Sequence, residues 1–425
     1  VMIGESTAQT EPYGGDRATL STRYSPWFSI PQLIGAELQA NQPGLNVSVE
    51  LITEGGIPLE VAHQGLASVR SKPDVVFVYS GHNEFQSRFQ WARVAPEWSD
   101  HPLGRFARGL AKLSPVVRTI RETLDRAGLN VLPTKDDRRA VIDAPTCSQA
   151  EYDALVDDFT RRLEAIASDC DRVGAIPIFF VPAANDAGFE PTRSVLDRSA
   201  TPQQRDALLA DFQAAREADS RDPNRAEELY RGITARHPEF AEAHYRLGKH
   251  LEAKQQTEAA NREYALARDL DGMPLRCPSR FQDAYRQVAA RHPRCILIES
   301  ADVLKSLSPR SVLDDTLFHD AHHPTFRGYV ALAQAALDAI ARRGDLGWPK
   351  DRAAPRIDPA QVARTYQLNP ERWATVCAKS AMFYRKIAPI RHDPAERLAR
   401  AWIYELAEKA IDGGAAPEDA GVPGL

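Results

Sequence analysis

Short apolar runs separated by stretches of helical periodicity constrain this chain more than any other feature. Residues 1–4 (VMIG), 45–53 (LNVSVELIT) and 74–80 (DVVFVYS) read as strands. Residues 26–41, with Phe28, Ile30, Leu33, Ile34 and Leu38 at helical spacing, and residues 58–71 read as the helices between them. The alternation resumes later, with a helix over 148–173, a strand over 176–181, a helix over 278–290, a strand over 295–299 and a closing helix over 325–342. Strands that are apolar on both faces belong to parallel sheets, whose right-handed crossover helices cover both sides. The pattern predicts an α/β fold: a five-stranded parallel sheet between two helical layers, delivered in three pieces over 1–84, 146–200 and 275–345.

The interruptions are legible too. Residues 85–145 hold few strand signals and many Arg and Pro, as expected of a loop-and-helix insertion over one sheet edge. Residues 201–274 repeat: at an offset of 34 residues, Ala226 aligns with Ala260, Tyr230 with Tyr264, Ile233 with Ala267, and Pro238 with Gly272. Leu247, Gly248 and Leu251 take the small and large contact positions of the helix before the second set. This spacing resembles tetratricopeptide repeats, and a plain Ala-rich helical hairpin is the alternative. Two repeats are fewer than the three or more usually needed for independent stability, so they are expected to pack on the core. Residues 346–425 read as a helical, Arg- and Ala-rich extension that would complete the same helical layer.

Composition excludes some partners. With 53 Lys plus Arg against 58 Asp plus Glu, the formal net charge of the 425 residues is -5. Nucleic-acid-binding domains usually carry a basic excess, so no nucleic-acid partner is expected. No apolar stretch approaches the roughly 20 residues that span a bilayer. The chain opens directly on a strand at Val1, which leads us to expect a preceding segment in the natural chain, with targeting or membrane anchoring among its roles. Cys147, Cys170, Cys277, Cys295 and Cys377 show no CxxC spacing, which argues against a zinc ribbon. One or two disulfides would fit an oxidising compartment, with at least one thiol left over.

Three segments hold the residue types that chemistry needs. Gly4-Glu5-Ser6-Thr7 follows the first strand, where open α/β sheets place their sites. A serine on a sharp turn there can present its hydroxyl as a nucleophile, or simply cap a helix. Gly81-His82-Asn83-Glu84 follows the third strand. An Asn amide at that place can donate to a developing oxyanion, although Gly and Asn are also ordinary turn residues. His319-Asp320-Ala321-His322-His323-Pro324-Thr325 precedes the closing helix. An acid three residues before a histidine can orient the imidazole as a base for serine. Three histidines and an aspartate could instead bind a divalent metal, or only start a helix.

Taken in order, these blocks resemble the SGNH/GDSL hydrolase superfamily. The matching positions are Gly4-Glu5-Ser6, Gly56 within Glu54-Gly55-Gly56-Ile57, Gly81-His82-Asn83-Glu84, and Asp320-Ala321-His322-His323. The resemblance implies a flavodoxin-like, three-layer α/β/α core with Ser6 as nucleophile, His323 as general base and acid, and Asp320 orienting it. The oxyanion hole would be the backbone N–H groups of Ser6 and Gly56 and the side chain of Asn83. Gly55 competes with Gly56, which is preferred because a helix is expected right after it. Glu5 and Glu84 stand where the superfamily usually has Asp. Pro12-Tyr13 and Gly81–Phe85 resemble a bacterial branch with tetratricopeptide repeats, whose members often follow an N-terminal membrane segment. An extracytoplasmic or membrane-anchored setting is the corresponding expectation.

The expected function is therefore that of a serine esterase or acyl hydrolase without metal or cofactor. Its substrate would be a small or medium acyl ester, including acyl groups on a glycan or lipid. An O-acyltransferase would use the same acyl-enzyme, and a scaffold working through its repeats, with an idle core, is the reading from another class. A protein partner for the repeats is expected on either view. His323 is expected to titrate near its ordinary value of about 6.5. Arg88 and Arg276 are candidates for binding an anionic substrate, the plain alternative for each being a solvated surface arginine.

Overall fold

The computed structural model describes residues 1–15, 17, 26–42, 44–69, 71–85, 142–143, 147–196, 200–391 and 393–425. Seven strands lie among them: β1 (Met2–Gly4), β2 (Leu51–Thr53), β3 (Val75–Tyr79), β4 (Ile142–Asp143), β5 (Ile176–Val181), β6 (Ser194–Val195) and β7 (Ile296–Glu299). Five form one parallel sheet in the order β2-β1-β3-β5-β7, and β4 pairs separately with β6. Met2 faces Leu51 on one side and Phe77 on the other, while Ile178 continues the ladder to Ile296. The chain winds outward from β1 to β2, then returns to β3 on the opposite side. The ends of β1 and β3 thus flank the switch point, where open α/β sheets form their crevice.

Side chains alternate across the strands and send successive residues to opposite faces. Met2, Phe77, Tyr79, Ile178 and Phe180 pack with α1 (Ile30–Asn41) and the closing helix α10 (Phe326–Arg343). Ile3, Val76, Val78, Phe179 and Val181 pack with α2 (Leu59–Leu66), α3 (Gln149–Val173) and α8 (Ser279–Arg291). The expected two-sided cover is present, and most expected elements fall within a few residues of their predicted places. The main exception is β2, which takes only Leu51–Thr53 of the predicted 45–53. A strand is defined by its neighbour, and β1 offers β2 only Met2–Gly4. Helix α2 likewise ends at Leu66, short of the predicted residue 71.

Helices α4 (Pro202–Ala218), α5 (Pro223–Arg236), α6 (Ala241–Ala253) and α7 (Thr257–Asp269) share a core of their own. The matched residues Ala226, Tyr230 and Ile233 of α5, and Ala260, Tyr264 and Ala267 of α7, are all buried in it. Gly248 is small for a packing reason: a Cβ there would stand 2.6 Å from the Tyr264 ring. Ala187, Leu196 and Val312 join the same cluster, so these helices pack on the rest of the chain as expected.

After the short α9 (Ser300–Lys305) and α10, the chain ends in α11 (Pro359–Thr365), α12 (Pro370–Ile387) and α13 (Ala395–Asp412). These do not complete the α4–α7 layer, as the sequence suggested. Their apolar residues, among them Trp373, Val376, Tyr384, Tyr404 and Ile411, enter the cluster of α1 and α10. Polar links to α6 run through Arg391, between α12 and α13, with Nη1 at 3.1 Å from Glu242 Oε2, and through Glu396 of α13, 2.8 Å from Arg246. All five cysteines are free thiols, so the one or two disulfides that an oxidising compartment would allow are not formed. Cys377 lies on the opposite face of the sheet from Cys170 and Cys277. Among the described residues, no helix is long and apolar enough to cross a membrane.

Candidate active site

The site begins where β1 meets β3. Gly4 has φ 152°, and a Cβ there would stand 2.1 Å from the Tyr79 carbonyl oxygen. Only glycine lets the chain pass this close and turn, and the turn presents the almost buried Ser6. The Glu11 amide closes the loop by donating to the Ser6 carbonyl at 3.0 Å.

Ser6 meets the loop that precedes α10. Its Oγ is 2.7 Å from His323 Nε2, and His323 Nδ1 is 2.7 Å from Asp320 Oδ2. The other Asp320 oxygen accepts the His322 and His323 amides, each at 3.0 Å. An ionised carboxylate only accepts, so Nδ1 carries the ring proton and Nε2 is left to accept from the serine hydroxyl. Burial opposes the charge on both groups, but each ion favours the other. Asp320 is held below the usual carboxylate range, and His323 is held above the ordinary histidine value. The carboxylate thus outweighs burial and moves His323 upward from the ordinary value expected for it.

Glu5 fastens the second block to the first. Its two oxygens accept the His82 and Asn83 amides at 3.0 Å each, and burial raises its carboxyl to about 7. Glu84 accepts the Leu59 amide at 2.9 Å, at the start of α2. Glu5 and Glu84 therefore both hold backbone. Asn83 itself is buried, and its Nδ2 has no hydrogen-bond partner among the described residues. A buried donor without a partner costs free energy, so this amide is poised for an acceptor.

The remaining histidines have separate tasks. Tyr13 accepts the Phe326 amide at 2.7 Å, so its own proton points to His319 Nε2 at 2.5 Å. His319 Nδ1 faces the Tyr404 hydroxyl at 3.3 Å, and burial pushes His319 down to about 4. The Pro12-Tyr13 mark thus ties the serine loop to the histidine loop. His322 lies between His82, on which it stacks at a centroid distance of 4.4 Å, and His323, whose ring is tilted against it at 4.2 Å. His82 is held by the Cys277 amide on Nδ1 at 3.0 Å. Burial lowers both His82 and His322, the latter to about 3, so neither carries charge at neutral pH. Among the described residues, no group of three or more His, Cys, Asp or Glu is placed to hold a metal ion. Both nitrogens of His319 and of His323 are engaged within the protein.

The other sequence candidates fare differently. Gly56 lies in the loop between β2 and α2 at φ 81°, a conformation suited to glycine, and α2 starts at Leu59 rather than right after it. Among the described residues it makes no hydrogen bond to Ser6, Asn83 or His323. Arg88 lies outside the described residues. Arg276 is buried, not solvated: its Nη1 is 3.3 Å from the Asn185 carbonyl and 3.7 Å from Asp186 Oδ1. Sequence reasoning missed the histidine stack and Phe383 of α12, whose ring meets both His322 and His323. His82 was visible beside Asn83, but nothing in the sequence marks Phe383.

Comparison with protein-family models, with curated proteins and with solved structures gives no match to this chain.

Proposed function

We propose that this chain is a serine hydrolase of the SGNH/GDSL type that cleaves an ester through an acyl-enzyme on Ser6. The observation that carries the reading is the line Ser6 Oγ–His323–Asp320, 2.7 Å at each contact, above the end of β1. Supporting it are the strand order β2-β1-β3-β5-β7, which suits a flavodoxin-like core, and the unpartnered Asn83 amide. In this reading Ser6 Oγ attacks the ester carbonyl carbon while His323 Nε2 takes the hydroxyl proton. The oxyanion is held by Asn83 Nδ2 with the backbone N–H groups of Ser6 and Gly56. Collapse breaks the bond to the alcohol oxygen, which leaves with the proton from Nε2. Water then attacks the acyl-enzyme, giving its proton to Nε2, and that proton returns to Ser6 Oγ as the acid departs.

The substrate class is a small or medium acyl ester, with acyl groups on glycans or lipids included. Helices α4–α7 we read as two tetratricopeptide-like repeats, supported by the 34-residue self-match and the burial of three of its four residue pairs, and we assign them to partner or substrate recruitment. Hydrolysis of p-nitrophenyl acetate tests the chemistry. Ser6→Ala is expected to lower kcat by about 10³-fold or more, and Asn83→Ala by about 10²–10³-fold. A Ser6→Ala variant that turns over at the parent rate contradicts the reading.

A further inference from the structure

Helix α12 lies in the C-terminal extension, yet it reaches the Ser6–His323 pair. Lys379 and Phe383 stand four residues apart, hence on one face of the helix. The Lys379 ammonium is 3.4 Å from Glu11 Oε1, and the Glu11 amide is bonded to the Ser6 carbonyl. This buried ion pair clamps α12 over the serine loop. One turn further on, the Phe383 ring stands edge-on to His322 and His323, with centroids 6.2 and 6.3 Å away and planes at 83° and 86°. Ser6, His322 and His323 are nearly inaccessible, Phe383 is half-buried, and Met382 beside it is 37% exposed. Phe383 therefore stands, half-buried, between the imidazole pair and the exposed side of α12.

We infer that Phe383 walls the subsite for the alcohol half of the ester, and that this alcohol presents an apolar face. The inference rests on the hydrolase reading above. In that reading the carbonyl oxygen lies toward Asn83, while His323 Nε2 hands its proton to the leaving oxygen. The group attached to that oxygen must then sit on the His323 side, where Phe383 stands. An aromatic ring at such a place favours aryl groups or the apolar face of a sugar ring over a short alkyl chain. The extension is thus part of the site, and specificity for the alcohol comes from outside the sheet core.

Acetate esters of different alcohols test this at constant acyl group. Phe383→Ala is expected to lower kcat/KM for 1-naphthyl acetate about tenfold more than for ethyl acetate, a discrimination typical of an apolar subsite. Phe383→Leu, which keeps apolar bulk, is expected to retain most of the preference. An equal change for both acetates in Phe383→Ala overturns the inference. So does a change that instead follows acyl length in a series of p-nitrophenyl esters. Reaction of each variant with a fluorophosphonate reports an intact Ser6–His323 pair and separates misfolding from lost selectivity. Failure of the parent protein to react at Ser6 would count against the hydrolase reading itself.

Discussion

Asp320 uses one oxygen to hold His323 and the other to hold the loop amides that carry His322 and His323. Its removal is therefore expected to change protonation as well as geometry. His323 must be neutral to accept the Ser6 proton, and its value is raised, so kcat/KM should climb with pH through a limb above about 6.5. In Asp320→Asn the burial that favours neutral imidazole remains and the carboxylate that opposed it is gone. The limb should move to lower pH while kcat falls by about 10⁴-fold, as pH–rate profiles would record. An unmoved limb would assign it to another group. The meeting of Ser6, Asp320 and His323 was legible because their blocks follow the ends of strands in an order that resembles a known hydrolase pattern. The protonation states were not, since burial and partners are set only by the fold. The same holds for the His82–His322 stack, which depends on the path of the chain past Cys277.

At the scale of elements, boundaries were legible where the ends carry their own signals. Helix α3 is framed by Ser148, whose hydroxyl accepts the Glu151 amide while the Glu151 carboxylate accepts the Ser148 amide, and by Gly174 in left-handed conformation. Ser148→Ala should cost about 1 kcal/mol, read as a lowered midpoint in denaturant at unchanged slope. An unchanged midpoint would mean that the cap is replaced by water or by the Glu151 side chain. Strand β2 was overextended because an alternating apolar pattern does not say how much neighbour it will find. The 34-residue repeat was legible as burial at three of its four pairs, whose residues share one core, while Pro238 and Gly272 lie outside it.

At the scale of the whole molecule, what the sequence left hidden is how the added helices attach. Arg- and Ala-rich amphipathic segments declare an apolar face but not its partner, and α12 and α13 docked with α1 and α10. Around them, Glu242 lies buried against Arg246 and Arg391, and Glu190 against Arg391 and Arg397. Burial opposes ionisation of Glu242 and Glu190, but the arginines prevail and both carboxyls are held below their usual values. Their stabilising contribution is present above about pH 4.5 and is lost as pH falls through the lowered values. Glu242→Ala, which leaves buried arginine charge uncompensated, should cost about 3 kcal/mol or more in chemical denaturation. A cost under about 1 kcal/mol would make the network ornamental. The central claim is that this assembly exists to make Ser6 a nucleophile. Fluorophosphonate labelling of the intact protein, with the modified peptide mapped by mass spectrometry, tests it most directly. The account predicts one adduct on Ser6, absent in Ser6→Ala and unaffected by a chelator. Equal labelling of Ser6→Ala, or an adduct at another residue, would contradict it.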